Sequence, residues 1–472
     1  MTLPPKPPTR PGRVPLWRYL RLFRQDILSA QPARLFGAWM AEFRTPFFRS
    51  YLVNEPKLWR TVLTERPGDF PKSDRVGEGL RPLLGRSVFV TNGATWARQR
   101  RIIDPAFAGG RLRDTYPAML DAARAATGRL TPGRHEVEAI TAHAAADVIF
   151  RTLFSLPIDD RQAMRVFTAF RAYQRCQPIV NLGAFLPLPR WMPRAHPKAA
   201  TKAAGDIRTL LRAMTDRRAA EIADGTAPDD LATKIMTTPD PETGETFEPG
   251  EMADQVAIFF LAGHETSASV LAWALYLLAT HPDAQETVAN EAVVFAKNPT
   301  FSNLSQLAFT RDVFREALRL YPPVPMMVRE ATKTETFRKR TIRRGAQIVI
   351  SPWHLHRHTR LWDDPDAFDP ARWQSDAGRA SARDAYLPFS TGPRVCPGAG
   401  FAMAEGVLML AMILAKWRIA PVEGAIPRPV AHLTLRAKDG ILLDFTPRTP
   451  GKDATSEPAK SAQTCPLAES PS

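Results

Sequence analysis

The chain has 472 residues, 44% hydrophobic and 24% charged. That is the balance of a soluble globular protein long enough to bury a sizeable core. A formal net charge of +15 favours acidic partners or anionic surfaces, but no zinc spacing, RNA-reading motif or concentrated basic block accompanies it, which argues against nucleic acid. Three cysteines, Cys176, Cys396 and Cys465, are too few for a disulfide framework and fit a reducing cytosol.

Residues 1–15 are rich in proline and carry no apolar stretch, so they do not read as a signal peptide. Leu16, Leu20, Phe23 and Ile27 then recur at helical spacing, with Arg18, Arg21 and Arg24 on another face. Two readings follow: a helix docked on the domain, or a weak membrane-surface contact. Residues 49–53 read as a strand, followed by a helix with Leu58, Val62 and Leu63, then a break at Pro67-Gly68-Asp69. Residues 72–92, with three glycines, read as irregular chain of the kind that touches ligands. In Trp96-Ala97-Arg98-Gln99-Arg100, an indole N–H and a guanidinium share one helix face, where both can hold one carboxylate or simply stack.

Helices are expected over 122–156, 161–175 and 202–223, a Pro-rich apolar connector over 178–197, and a polar loop over 224–250. Residues 251–280 form the longest helical candidate, stopped by His281-Pro282. Its apolar length invites a membrane-spanning reading. His264 and Glu265 in the middle make a buried central helix the better one. Gly263 removes a side chain there so that another group can approach. The Thr266 hydroxyl lies one turn from the Ala262 carbonyl and competes for it, opening the helix locally. Glu316 and Arg319 share a face of a further helix, and residues 347–351 read as a strand. Residues 449–472, which include Cys465, read as a disordered tail.

The loop Phe389-Ser390-Thr391-Gly392-Pro393-Arg394-Val395-Cys396-Pro397-Gly398 leads at once into an apolar helical run over 401–417. A thiolate before a helix N-terminus is stabilised by N–H donors, and a cation two residues away suits an anion on the same ligand. On its own this is a buried cysteine in a tight turn. As a ten-residue pattern it resembles the haem-binding loop of the cytochrome P450 superfamily, with Ser390 where many members carry glycine. Trp-x-x-x-Arg, Ala-Gly-x-Glu-Thr, Glu-x-x-Arg and Phe-Asp-Pro-x-Arg-Trp occur in that family's order, so the resemblance spans roughly residues 40–447.

The resemblance implies a mainly α fold with a small β region, holding haem b between the long central helix and the cysteine-loop helix. It implies a catalytic domain at 40–447, a Pro-rich segment with a short basic helix at 1–39 and a tail at 448–472. Cys396 becomes the iron ligand, with Phe389 packed against its sulfur and Gly398 beside it. Trp96, Arg100, Arg329 and Arg394 become partners of the haem propionates. Ala262 and Gly263 face the cofactor, and Glu265 and Thr266 relay protons towards dioxygen. Glu316, Arg319 and Arg372 form a structural triad, while Phe259, Phe260, Val324 and Met326 line an apolar substrate pocket. The implied activity is dioxygen-dependent monooxygenation in the cytoplasm, or peripherally at the inner membrane face. Electrons come from a separate ferredoxin or flavodoxin with its reductase, docked on a basic face with Arg98, Arg101, Lys416 and Arg418. The alternatives are a peroxygenase, a non-redox isomerase or dehydratase, and a non-enzymatic haem-binding protein.

Overall fold

The computed structural model describes residues 3–10, 12, 14–44, 49–108, 111–176, 198–431 and 433–449. The connector expected over 178–197, the tail expected beyond 449 and Cys465 lie outside them. In chain order the helices are α1 (Leu16–Gln25), α2 (Pro56–Arg60), α3 (Asp74–Leu84), α4 (Gly93–Phe107), α5 (Arg111–Gly128), α6 (Val137–Phe154), α7 (Arg161–Cys176), α8 (Lys198–Ala223) and α9 (Leu231–Thr237). They continue with α10 (Pro249–Thr280), α11 (Pro282–Lys297), α12 (Ala308–Leu320), α13 (Pro352–Leu355), α14 (Asp376–Ala385) and α15 (Ala399–Leu414).

The strands are short and peripheral. A four-stranded sheet runs β1 (Met40–Arg44), β2 (Arg49–Val53), β7 (Gln347–Ile350), β4 (Met327–Glu330), with only β2 and β7 parallel. A three-stranded antiparallel sheet runs β3 (Gly133–Glu136), β11 (Leu442–Pro447), β8 (Trp417–Pro421). Two hairpins pair β5 (Glu335–Phe337) with β6 (Arg340–Ile342), and β9 (Pro429–Ala431) with β10 (Leu435–Ala437).

The organising element is α10. A capping box between Glu248 and Glu251 and Pro249 in the first turn fix its start, and His281-Pro282 ends it. A helix apolar on all sides must be enclosed by others. Accordingly its first half packs in one apolar cluster with α3, α4, α6, α7, α8 and α9. Its second half joins α5, α11, α12 and α15 in another, where Trp273 stacks on Tyr321 at 4.0 Å. It is long and apolar enough to cross a membrane, yet it is mostly buried in the protein.

Four expectations are corrected. Residues 74–84 are helical because Leu80, Leu83 and Leu84 bury one face, which outweighs two glycines and an internal proline. The helix expected over 122–156 is two helices, α5 and α6, separated by a Pro132-Gly133 turn into β3. The polar stretch 224–250 holds α9, whose N-terminus is capped by the Asp230 carboxylate. The cysteine-loop helix stops at Leu414, and Trp417 opens β8.

The N-terminal segment lies along the body. The Tyr321 hydroxyl donates to the Pro5 carbonyl at 2.8 Å. Asp26, buried just past α1, accepts from the Ala431 N–H at 2.9 Å.

Candidate functional site

The cysteine loop precedes α15, whose cap is Gly398. The Cys396 N–H donates to the Phe389 carbonyl at 2.9 Å, which closes the loop on itself. Gly392 has φ +70°, and a Cβ there would run into the Leu63 carbonyl, so the loop is pressed against the turn after α2. Ser390 also sits at φ +62°. That is the left-handed region glycine favours, so the serine at this position carries a real steric cost. Cys396 is exposed, although protein crowds the residue. Burial pushes its thiol pKa up, while the Gly398 N–H, Arg100 and Lys72 pull it down.

Four cations converge on this loop. Arg394 stacks on Trp96, 4.2 Å from its ring centroid, and donates to Asn92 Oδ1 at 2.7 Å. Its Nη1 is buried without a partner among the described residues. Burial, Arg329 and Arg100 push its pKa down to about 9. Arg329, on β4, is 5% exposed, and burial lowers its pKa to about 10. Arg100 reaches Asp104 at 2.6 Å and donates to the Val395 carbonyl at 2.8 Å. Lys72 donates to the Phe89 carbonyl at 2.9 Å and sits 3.7 Å from that ring's centroid. Burial first, then Arg329, Arg394 and Arg100, drive its pKa well down. Such mutual repulsion in a buried place is relieved by an anionic ligand. Sequence reasoning placed Lys72 only at the edge of a ligand-touching stretch, because its role depends on β4 and the cysteine loop meeting it.

On α10, the Thr266 hydroxyl donates to the Ala262 carbonyl at 2.5 Å, as the spacing predicts, but the helix stays continuous. The approach that Gly263 permits is that of Ile149 on α6, whose Cδ1 would lie 2.5 Å from a Cβ at 263. Glu265 is buried and firmly held. Its Oε1 accepts from Thr434 and Arg436, and its Oε2 from Gln174 at 3.1 Å. Burial pushes its pKa up, but Arg436 and Thr434 outweigh that, so the net shift is downward and the group is an anion. One residue beyond Thr266, the Ser267 hydroxyl donates to Glu405 Oε2 on α15 at 2.7 Å. Burial raises the pKa of Glu405 to about 8. The partners of Glu265 and Ser267 come from distant segments, and nothing in their local sequence marks them.

Phe260 is corrected. It is 1% exposed and packs at 4.4 Å on Phe170 and 4.9 Å on Phe150, so it is core rather than pocket lining. Phe259 instead meets Phe107 at 5.8 Å. Val324 is exposed, and Met326 is partly buried against the core. Glu316 receives Arg319 Nε at 2.9 Å and Arg372 Nε at 3.0 Å. Of the cations expected on a docking face, Arg98 pairs with Glu251, Arg101 with buried Asp240, and Arg418 with Glu286.

The family model for cytochrome P450 matches residues 33–444. The chain is 35% identical over 437 residues to cyclooctat-9-en-7-ol 5-monooxygenase of Streptomyces melanosporofaciens, covering 89% of this chain and 92% of that protein. It is 31% identical to pentalenene oxygenase of Streptomyces avermitilis, covering 94% and 98%. Its fold matches the haem domain of cytochrome P450DA with a TM-score of 0.81 at 24% identity, covering 95% and 99%.

Proposed function

The chain belongs to the cytochrome P450 family and is a haem-dependent monooxygenase; from that premise we propose that it hydroxylates a cyclic terpenoid. The observation that carries the haem-dependent part of this reading is the exposed Cys396 thiol beside four converging cations, one with an Nη1 that is buried and unpartnered among the described residues. A flat dianionic porphyrin satisfies both requirements, so the residues fit haem b. Cys396 is its ligand, and Lys72, Trp96, Arg100, Arg329 and Arg394 hold its carboxylates. Bound haem supplies the activation of dioxygen, with two electrons and two protons, and the transfer of one oxygen atom to a carbon–hydrogen bond.

The protein's own residues bind, orient and deliver protons. Thr266 presents a hydroxyl on the inner face of α10, and Glu265 beside it passes protons. Phe259, Val324 and Met326 offer apolar contacts to substrate. The names of the two Streptomyces relatives favour a cyclic terpenoid over a fatty acid, carotenoid or simple aromatic. Electrons come from a ferredoxin or flavodoxin with its reductase. The catalytic domain spans 40–447 and works in the cytoplasm, with the exposed Trp17 and Leu20 of α1 touching the inner membrane face weakly. The pairing of Glu265 next to Thr266 favours this over a peroxygenase, an isomerase or dehydratase, or a haem carrier. The test is the reduced, CO-bound protein, followed by turnover in labelled dioxygen with pentalenene as probe. A red-shifted Soret band and one labelled oxygen atom in the product are expected. Absence of the shifted band overturns the assignment.

A further inference from the structure

Glu265 is 8% exposed, and among the described residues three side chains hold it. Two of those side chains have a second face. Gln174 and Arg436 both line a cleft of about 750 Å³ at the protein surface, together with Glu138, Glu136, Asp26, Arg428 and Lys438. Arg436 on one oxygen of Glu265 and Gln174 on the other therefore form part of the cleft's wall. Arg436 is 38% exposed on its side chain, so it has room to swing outward. Glu138, in the first turn of α6, is fixed in the same wall. Its Oε1 accepts the Ala437 N–H at 2.7 Å, one residue from the arginine that grips Glu265.

We propose that this cleft is the proton entrance of the enzyme, with Glu138 loading the proton and Arg436 gating its passage to Glu265. The inference rests on the monooxygenase reading above and names the route by which protons reach that site. One proton leaves solvent and binds the Glu138 carboxylate. It then crosses the cleft through water to the Glu265 carboxylate as Arg436 turns away, and Glu138 is reloaded from solvent. No electron moves on this path. The two protons that dioxygen reduction consumes arrive in two such passages.

The charges around Glu138 fit a carboxyl that exchanges protons near neutrality. Burial and the neighbouring Glu136 raise its pKa to about 7, against the pull of the Ala437 N–H and of Arg436. From the other elements of the wall it faces Asp26 at the end of α1, Gln174 on α7, Arg428 before β9, and Lys438 and Asp439 after β10. These add three acids, counting Glu136, and three cations, counting Arg436, so no single sign of charge pins it.

The test uses the haem-loaded full chain with NADH, a ferredoxin and its reductase in air, with pentalenene as the apolar probe. The readouts are the share of NADH electrons released as peroxide and its pH profile. Glu138→Gln keeps the shape and the Ala437 contact. It is expected to raise that share about fivefold relative to the electrons reaching product or water, and to abolish its change between pH 6 and 8. Wild-type peroxide share and pH profile in this variant overturn the route. As a readout without turnover, infrared titration of the haem-loaded protein is expected to show a carboxyl band that disappears near pH 7 and is missing in Glu138→Gln. In Arg436→Gln an additional carboxyl band, that of Glu265, is expected at neutral pH beside that of Glu405. A band pattern identical to wild type in both variants overturns the proposal even if a variant is too unstable for turnover. Failure of the monooxygenase reading looks different: no shifted CO band and no NADH oxidation in the wild type.

Discussion

Removing the Glu316 carboxylate is the sharpest test of what holds the proximal core together. Glu316 and Arg319 are wholly buried, and Arg372 nearly so. The carboxylate accepts Arg319 Nε at 2.9 Å and Nη2 at 2.8 Å, Arg372 Nε at 3.0 Å and the Asp369 N–H at 3.1 Å. The guanidiniums cannot follow a lost partner, because Arg319 is also committed to the carbonyls of His356, Pro365 and Ala367. In Glu316→Ala two buried cations then face each other. At ~5 Å and an effective dielectric of about 20, their repulsion alone is about 3 kcal/mol. Breaking a buried ion pair by removing one partner costs about 3–5 kcal/mol, a large part of a total stability of about 5–15 kcal/mol. Urea denaturation followed by circular dichroism is the assay. With a slope of about 3 kcal/mol/M, the midpoint is expected to fall by about 1–1.7 M. Glu316→Gln, which keeps the acceptor but not the charge, should fall between. A midpoint for Glu316→Ala within about 0.2 M of wild type would falsify the claim that the carboxylate holds two uncompensated cations.

The cysteine loop gives a pair of opposite expectations. Ser390→Gly relieves a left-handed residue and should stabilise by about 0.5–1 kcal/mol after glycine's own entropy, read as a higher urea midpoint. Gly392→Ala combines φ +70° with a Cβ against the Leu63 carbonyl and should cost about 3 kcal/mol or more, read as lost haem retention; full retention there refutes the close approach. For Glu405 the sign follows from its raised pKa of about 8 against an ordinary 4.5. The folded protein holds this proton in a window where the unfolded chain has released it. Stability from this group is therefore present below pH 4.5 and declines by about 4–5 kcal/mol as pH rises to about 8. Glu405→Gln should flatten that part of the stability–pH curve, and an unchanged slope would show the group is not buried neutral.

The sequence by itself determined the elements whose signals are local. The cysteine loop, the capped apolar length of α10, the Thr266–Ala262 spacing and the turn at His281-Pro282 all act through neighbours within a few residues. The five motifs in order were enough to identify the family and its mainly helical fold. Local signals failed where burial overrode them. In α3, three leucines outweigh two glycines, and in the stretch 122–156 continuous alanine patterning hides the turn that feeds β3. Only the tertiary structure decided which way equivalent side chains turn and what they meet. Adjacent phenylalanines 259 and 260 read alike, yet one faces Phe107 and the other the core. Gly263 answers Ile149, and Arg101 and Arg418 pair with Asp240 and Glu286. Lys72 joins Arg329 and Arg394, and Arg436 and Gln174 close on Glu265. Their separations in sequence run from 91 to 322 residues, beyond the reach of any spacing rule. The pattern around Cys396 was thus legible from its loop, while the partners of Glu265 depend on contacts that only the folded chain brings together.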